Sequence, residues 1–149
     1  MKFYNLPKNR LRPNDLLAVG KDKIIFTNDA TSQKELFFTL EVLTYYKGGS
    51  LVYYDGKETH WLGPRLFGPN GLALDHSGKN LFVGFPISRE IVVYEISKDF
   101  LTINEISKHY VGSGIDNFYL DKHGAIWTVS SRCPLKKQTF RPLIQLGTS

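Results

Sequence analysis

Asn70-Gly71-Leu72-Ala73-Leu74-Asp75-His76-Ser77-Gly78-Lys79-Asn80-Leu81-Phe82-Val83 is the stretch that decides the fold. A polar pair opens it and an apolar run follows. A glycine-bearing polar turn then reverses the chain, and a second apolar run returns. The same order stands on either side. Upstream, Asn14-Asp15-Leu16-Leu17-Ala18-Val19 passes through Gly20 to Asp22 into Lys23-Ile24-Ile25-Phe26. Downstream, Asp116-Asn117-Phe118-Tyr119-Leu120-Asp121 passes through Lys122-His123-Gly124 into Ala125-Ile126-Trp127-Thr128-Val129. The copies begin 56 residues apart (14 to 70) and 46 apart (70 to 116). One hairpin per unit at a period of roughly 40–50 residues is the pattern of β-propeller blades. Asp-His-Ser-Gly and Asp-Lys-His-Gly place a glycine where a short hairpin loop needs a left-handed residue.

The segments between the copies complete the units. Leu51-Val52-Tyr53-Tyr54 runs into a turn at Asp55-Gly56 and resumes towards Trp61-Leu62. Ile91-Val92-Val93-Tyr94 is a β-branched run whose residues alternate between two faces, both buried if blades pack on either side. Leu101-Thr102-Ile103 is a further strand candidate. One stretch breaks the pattern. Thr31 to Tyr46 reads as a helix, with Ser32 and Glu35 in capping-box spacing, Leu36, Phe37, Leu40, Leu43 and Tyr46 at helical intervals, and Gly48-Gly49 as the stop. This insertion accounts for the longer first spacing. The expected architecture is all-β: a partial propeller of about three blades over residues 1–132, with one amphipathic helix at 32–46. Residues 133–149, with Pro134 and Pro142, read as an irregular tail.

Composition narrows the function classes. The 149 residues suit one domain, and 42% apolar with 22% charged residues excludes global disorder. The net charge is +5 and the pI about 9.3, but the basic residues are scattered. The nearest cluster is Arg132, Lys136, Lys137 and Arg141. It forms no aromatic-interleaved stripe, so nucleic acid is not the expected partner. One cysteine, Cys133, excludes an internal disulfide and a cysteine-rich zinc module. No apolar run is long enough for a transmembrane segment, and Met1 to Arg12 lacks the apolar core of a signal peptide. Compartment is left open.

The polar pairs that open the copies carry the candidate chemistry. They are Asn14-Asp15, Asn70-Gly71 and Asp116-Asn117. In a propeller, equivalent positions of successive blades converge on the central channel. Carboxylate and amide oxygens meeting there form the ligand set of a hard cation, and Ca²⁺ fits best. Taken singly, each pair is also an ordinary turn element, and Asn-Gly is a favoured hairpin turn. The histidines offer no catalytic constellation: His60 ends an outer hairpin, His76 and His123 sit in polar turns, and His109 falls in a connecting segment. Nucleophile elbow, P-loop and dinucleotide fingerprint are all absent, and no catalytic residue is identified.

The series resembles the paraoxonase/arylesterase family of six-bladed, calcium-dependent propeller esterases and lactonases. The resemblance is carried by Asn14 to Gly20, Thr27-Asn28-Asp29, Leu51 to Tyr54, Pro69 to Leu74, Val92 to Glu95 and Ile115-Asp116-Asn117, in the family's order. Gluconolactonase and strictosidine-synthase propellers share the Pro-Asn-Gly-Leu-Ala strand but not the whole series. The resemblance implies a catalytic calcium held by Asn14, Asn70, Asp116 and Asn117, and a second calcium held in part by Asp15. It implies an ester or lactone substrate, and lipid or lipoprotein contact through the 32–46 helix. It also implies incompleteness. Family members are more than twice this length, and their acidic ligand pair and histidine dyad have no counterpart before Asn14. A further family histidine is Ala30 here. Both calcium sites are then incomplete, hydrolysis is impaired, and the alternative is a non-catalytic calcium- or protein-binding propeller fragment.

Overall fold

A computed structural model describes residues 12–131. The expected tail at 133–149 lies outside them. Ten strands and one helix follow in order. β1 (Pro13–Gly20), β2 (Lys23–Asn28), β3 (Gly49–Tyr54) and β4 (Thr59–Leu66) form one four-stranded sheet, with α1 (Glu35–Thr44) inserted between β2 and β3. β5 (Leu72–Leu74), β6 (Asn80–Phe85), β7 (Glu90–Ile96) and β8 (Ile103–Tyr110) form a second. β9 (Gly114–Leu120) pairs with β10 (Ile126–Ser131). Every pairing is antiparallel and joins consecutive strands. The first strands of the three units, β1, β5 and β9, are neighbours, and so are the outer strands β4 and β8. That is the radial arrangement of propeller blades. The described residues supply two whole blades and the inner hairpin of a third.

The three sequence copies are β1–β2, β5–β6 and β9–β10. Their turns share one device where the sequence repeats. Asp75 Oδ1 accepts the N–H groups of Lys79 and Asn80, and Asp121 Oδ1 accepts those of His123 and Ala125. Gly78 and Gly124 then close the turns at φ +71° and +82°. The first copy differs: Asp22, at φ +61°, takes the left-handed position itself.

The cores lie between the blades. Ile25, Leu51, Tyr53 and Leu62 of the first sheet pack on Leu81, Val83, Val92 and Tyr94 of the second. Phe82, Ile91 and Val93 face the other way, onto Ile115 and Ile126 of the third unit. β7 therefore buries both faces, as its sequence alternation predicts. At about 1.5–3 kcal/mol for each fully buried large apolar side chain, these layers are the main stabilising force.

Four local expectations are corrected. The helix starts at Glu35, behind Lys34, which gives no side-chain cap. Ser32 Oγ instead accepts the Lys34 N–H at 3.2 Å, so the hydroxyl closes a turn before the helix rather than capping it. The helix ends at Thr44, where Tyr45 turns left-handed (φ 53°), before Gly48-Gly49 is reached. Leu101 and Thr102 belong to the turn before β8, where Ser97 Oγ accepts the Thr102 N–H at 3.0 Å. His109 lies within β8, opposite Ile91, rather than in a connecting segment.

The orientation of α1 comes from one buried carboxylate. Glu41 accepts the Thr31 N–H at 3.1 Å and the Thr31 hydroxyl, and it is the buried residue of the helix. Gly48 packs against that carboxylate with no room for a Cβ. With Glu41 facing inward, Leu36, Phe37, Leu40 and Leu43 face outward, Leu36 and Leu43 at 69% and 70% exposure. Phe38 is half-buried beneath the Arg12 guanidinium, 3.9 Å from the ring centre.

Candidate metal centre

The polar pairs sit where the inner strands of neighbouring blades begin. In β1 the pairing with β2 is irregular between Pro13 and Leu16. There the Asp15 N–H bonds to Thr27 Oγ1 at 2.9 Å instead of to a ladder carbonyl. The Asp15 carboxylate reaches across to the second sheet: Oδ2 accepts the Leu72 N–H at 2.8 Å, while Oδ1 accepts the Leu16 N–H at 2.8 Å. Asp15 thus ties the first blade to the second beside Asn70-Gly71. On the far side of that pair, a Cβ on Gly71 would collide with the Asp116 carbonyl oxygen, and the Asn117 backbone is in contact as well. Glycine lets the two polar pairs meet backbone to backbone. The structure therefore brings Asp15, Asn70-Gly71 and Asp116-Asn117 together in sequence around the inner strands.

The donor atoms differ in their surroundings. The backbone around Asn70 is fixed by two bonds with Gly84: Asn70 N–H to Gly84 O, and Gly84 N–H to Gly71 O, each 2.8 Å. Its side-chain Oδ1 is buried and has no hydrogen-bond partner among the described residues. A buried, unsatisfied carbonyl oxygen costs about 1–3 kcal/mol. A cation is one partner that relieves such a cost, and an oxygen-only donor set suits a hard one. Asp116 and Asn117 are exposed. Asn14 is exposed and donates from Nδ2 to Asp29 Oδ2 at 3.2 Å. Among the described residues, no group of three or more His, Cys, Asp or Glu side chains gathers for a metal. The candidate set is amide-rich, with Asn14, Asn70 and Asn117 beside Asp116.

Two polar residues near Asn14, Arg12 and Asp29, carry no role in the sequence analysis. Asp29 follows β2, and its side chain is only 11% exposed. Burial pushes its carboxyl above the ordinary value, against the hydrogen bond from Asn14 and the charge of Arg12, which both lower it. Arg12 Nε stands 3.5 Å from Asp29 Oδ1, and the Arg12 N–H donates to Asn28 Oδ1 at 2.6 Å. The available signal was the polar run Thr27-Asn28-Asp29 ending an otherwise apolar strand. Three of the four histidines are occupied elsewhere. His60 Nε2 is 3.3 Å from Asp55 Oδ2, His76 Nε2 is 2.8 Å from the Asp121 carbonyl, and His109 Nε2 is 3.0 Å from Ser107 Oγ.

Sheet order, inner-strand adjacency and the core between sheets define a protein of the β-propeller class. Solved structures agree: a luciferin-regenerating enzyme aligns with 81% of this chain at TM-score 0.60 and 20% identity, covering 39% of that enzyme. A gluconolactonase from Xanthomonas campestris aligns with 85% at TM-score 0.58 and 24% identity, covering 43% of it. Within that class, residues 8–142 match the arylesterase family, and the chain belongs to it. Its curated relatives include mechanosensory abnormality protein 6 of Caenorhabditis elegans, 29% identical over 76% of this chain and 30% of that protein. Serum paraoxonase/arylesterase 2 of Rattus norvegicus is 26% identical over 80% of this chain and 34% of that protein. The chain spans about a third of the length of the curated relatives it matches.

Proposed function

We propose that this chain carries the calcium-binding face of an arylesterase-type hydrolase for aryl esters and lactones. The carrying observation is the meeting of Asp15, Asn70-Gly71 and Asp116-Asn117 at adjacent strand starts, with the Asn70 amide oxygen buried and unpaired. Asn14, Asn70, Asp116 and Asn117 would hold the catalytic calcium, and Asp15 would contribute to a second. When bound, calcium supplies a Lewis acid for the ester carbonyl and its developing oxyanion. Asp116 is the single anionic side chain of the four, so affinity is weak. The Asp15 carboxylate already accepts two backbone N–H groups; its remaining lone pairs are what it can offer an ion.

Hydrolysis by the chain alone is feeble. A general base must stand within hydrogen-bond reach of the attacking water. His60 and His109 lie on the outer strands β4 and β8, His76 follows the far end of β5 from Asn70, and His123 lies in the β9–β10 turn, beyond the far end of β9 from Asp116. The second reading, a non-catalytic calcium- or protein-binding module, draws on the same observation. The exposed apolar face of α1 supports contact with a lipid or lipoprotein surface.

Phenyl acetate and a medium-chain lactone, assayed with calcium and with chelator, separate these readings. The expected result is slow hydrolysis that chelation removes, together with a calcium-dependent rise in melting temperature that Asp116→Asn abolishes. A calcium-dependent rise without turnover favours the binding module. Hydrolysis indifferent to chelator, or a melting temperature indifferent to calcium, overturns the calcium reading.

A further inference from the structure

We propose that Asp29 is the positioning residue for Asn14, fixing which end of that amide is presented to the cation. The inference rests on the calcium reading and goes beyond it to a residue outside the ligand set.

An asparagine amide can present either its oxygen or its NH₂ group to a given neighbour, and only the oxygen ligates a cation. An exposed asparagine, as Asn14 is, has no packing to choose between them. Asp29 makes the choice. Its carboxylate is an acceptor only, so it takes the Asn14 Nδ2 end, at 3.2 Å, and turns Oδ1 away from itself. The carboxylate is itself held. The Asp29 N–H donates to the Arg12 carbonyl at 3.1 Å, and Arg12 Nε stands 3.5 Å from Asp29 Oδ1. With Pro13 opposite Asn28, Arg12 is the residue across from Asp29, and Asn14 and Asp29 flank the Pro13–Asn28 pair diagonally on one face at the open end of the hairpin.

Fold stability alone does not account for this carboxylate. Its side chain is largely out of water, and Oδ1 has the 3.5 Å ion pair with Arg12 Nε but no hydrogen-bond partner among the described residues. Its second oxygen is spent on an exposed amide, which water would serve as well. An ion pair held this far out of water adds little net stability, because desolvation offsets the attraction. For a ligand shell it is useful twice. It orients Asn14, and it sets a negative charge beside that one member of the donor set, in which Asp116 is the single anion. Partners that orient a ligand from behind typically change metal affinity by about 10–100-fold.

Calcium titration calorimetry on the wild-type chain, Asp29→Ala, Asp29→Asn and Glu41→Gln tests this, with melting curves in chelator as the folding control. Asp29→Ala removes both acceptor and charge, and its calcium affinity should fall about 10–100-fold. Asp29→Asn keeps an acceptor for Asn14 and loses the charge, so its loss should be smaller but measurable. Glu41→Gln alters the neighbouring buried carboxylate without touching Asn14, and should bind calcium as the wild type does. If Asp29→Ala fails to fold, Asp29→Asn decides: wild-type affinity in it overturns the proposal. Wild-type affinity in Asp29→Ala, or an equal loss in Glu41→Gln, also overturns it while leaving the calcium reading intact. A wild-type chain that takes up no calcium overturns both.

Discussion

Strand β7 of the second sheet sets Ile91 and Val93 on one face and Val92 and Tyr94 on the other, and all four are buried. Strand β2 of the first sheet begins the same way with Ile25 and Phe26, then continues into Thr27 and Asn28, which are buried and polar. Glu41 and Ser50 add to that polar interior, while β5 to β8 contribute no buried polar side chain among the described residues. Each has its use. Thr27 Oγ1 receives the Asp15 N–H, Asn28 Nδ2 donates to the Ala30 carbonyl at 2.9 Å, and Glu41 holds the loop before α1. A net hydrogen bond is worth about 0.5–1.5 kcal/mol, less than a large buried side chain. The second blade is thus built for cohesion. The first spends part of its interior on placing Asn14, Asp15 and the helix.

Replacing a core side chain of the second blade should therefore give the largest loss. Leu81 is fully buried, between Leu74 and Tyr94 of the flanking strands and facing the first sheet. Leu81→Ala should cost about 2–5 kcal/mol in urea unfolding. Because the cavity opens between the blades, both should melt together. A loss below about 1 kcal/mol would mean that the second blade is not the cohesive one.

Glu41→Ala probes the other blade. It removes the acceptor for the Thr31 N–H and hydroxyl, at about 1–3 kcal/mol for the groups left unsatisfied. The effect should stay local. Amide exchange should speed up across residues 31–48 and remain unchanged in β6 and β7. Uniform acceleration through both sheets would erase the distinction between the blades.

The same contrast explains what the sequence made legible. The three hairpins announce themselves because polar pair, apolar run and glycine turn recur in register, and the Ile91 to Tyr94 alternation predicts a doubly buried strand. The helix is legible as a helix but not in its facing. Periodicity defines the stripe of Leu36, Leu40 and Leu43; whether it turns inward depends on Glu41 finding Thr31, a contact ten residues away with no pattern of its own. β8 hides because Asn104, Glu105, Ser107 and Lys108 line an outer strand with little apolar alternation. At the candidate centre, Asp15 and the two following pairs lie where the repeat puts them. Asp29 does not belong to the repeat, and its pairing with Asn14 exists only once β1 and β2 have closed.

The smallest expected effect lies in a feature that both blades share. Their outer turns are each organised by an aspartate: Asp55 accepts the Lys57 and Glu58 N–H groups, each at 2.8 Å, and Asp99 accepts the Ser97 hydroxyl and the Leu101 N–H. The Glu58 and Lys57 amides hold the Asp55 carboxyl down at about 2, from an ordinary 3.8. The Ser97 hydroxyl and the Leu101 amide lower Asp99 as well. A carboxyl that is more acidic folded than unfolded contributes stability that is fully present above its unfolded value. That contribution fades as pH falls from 3.8 towards about 2. Both turns are solvated, so the contribution is small and screened by salt. Stability measured across that window should decline less steeply in Asp55→Asn than in the wild type, and likewise in Asp99→Asn. If Asp55→Asn flattens the decline and Asp99→Asn does not, the two blades differ at their rims as well as in their interiors.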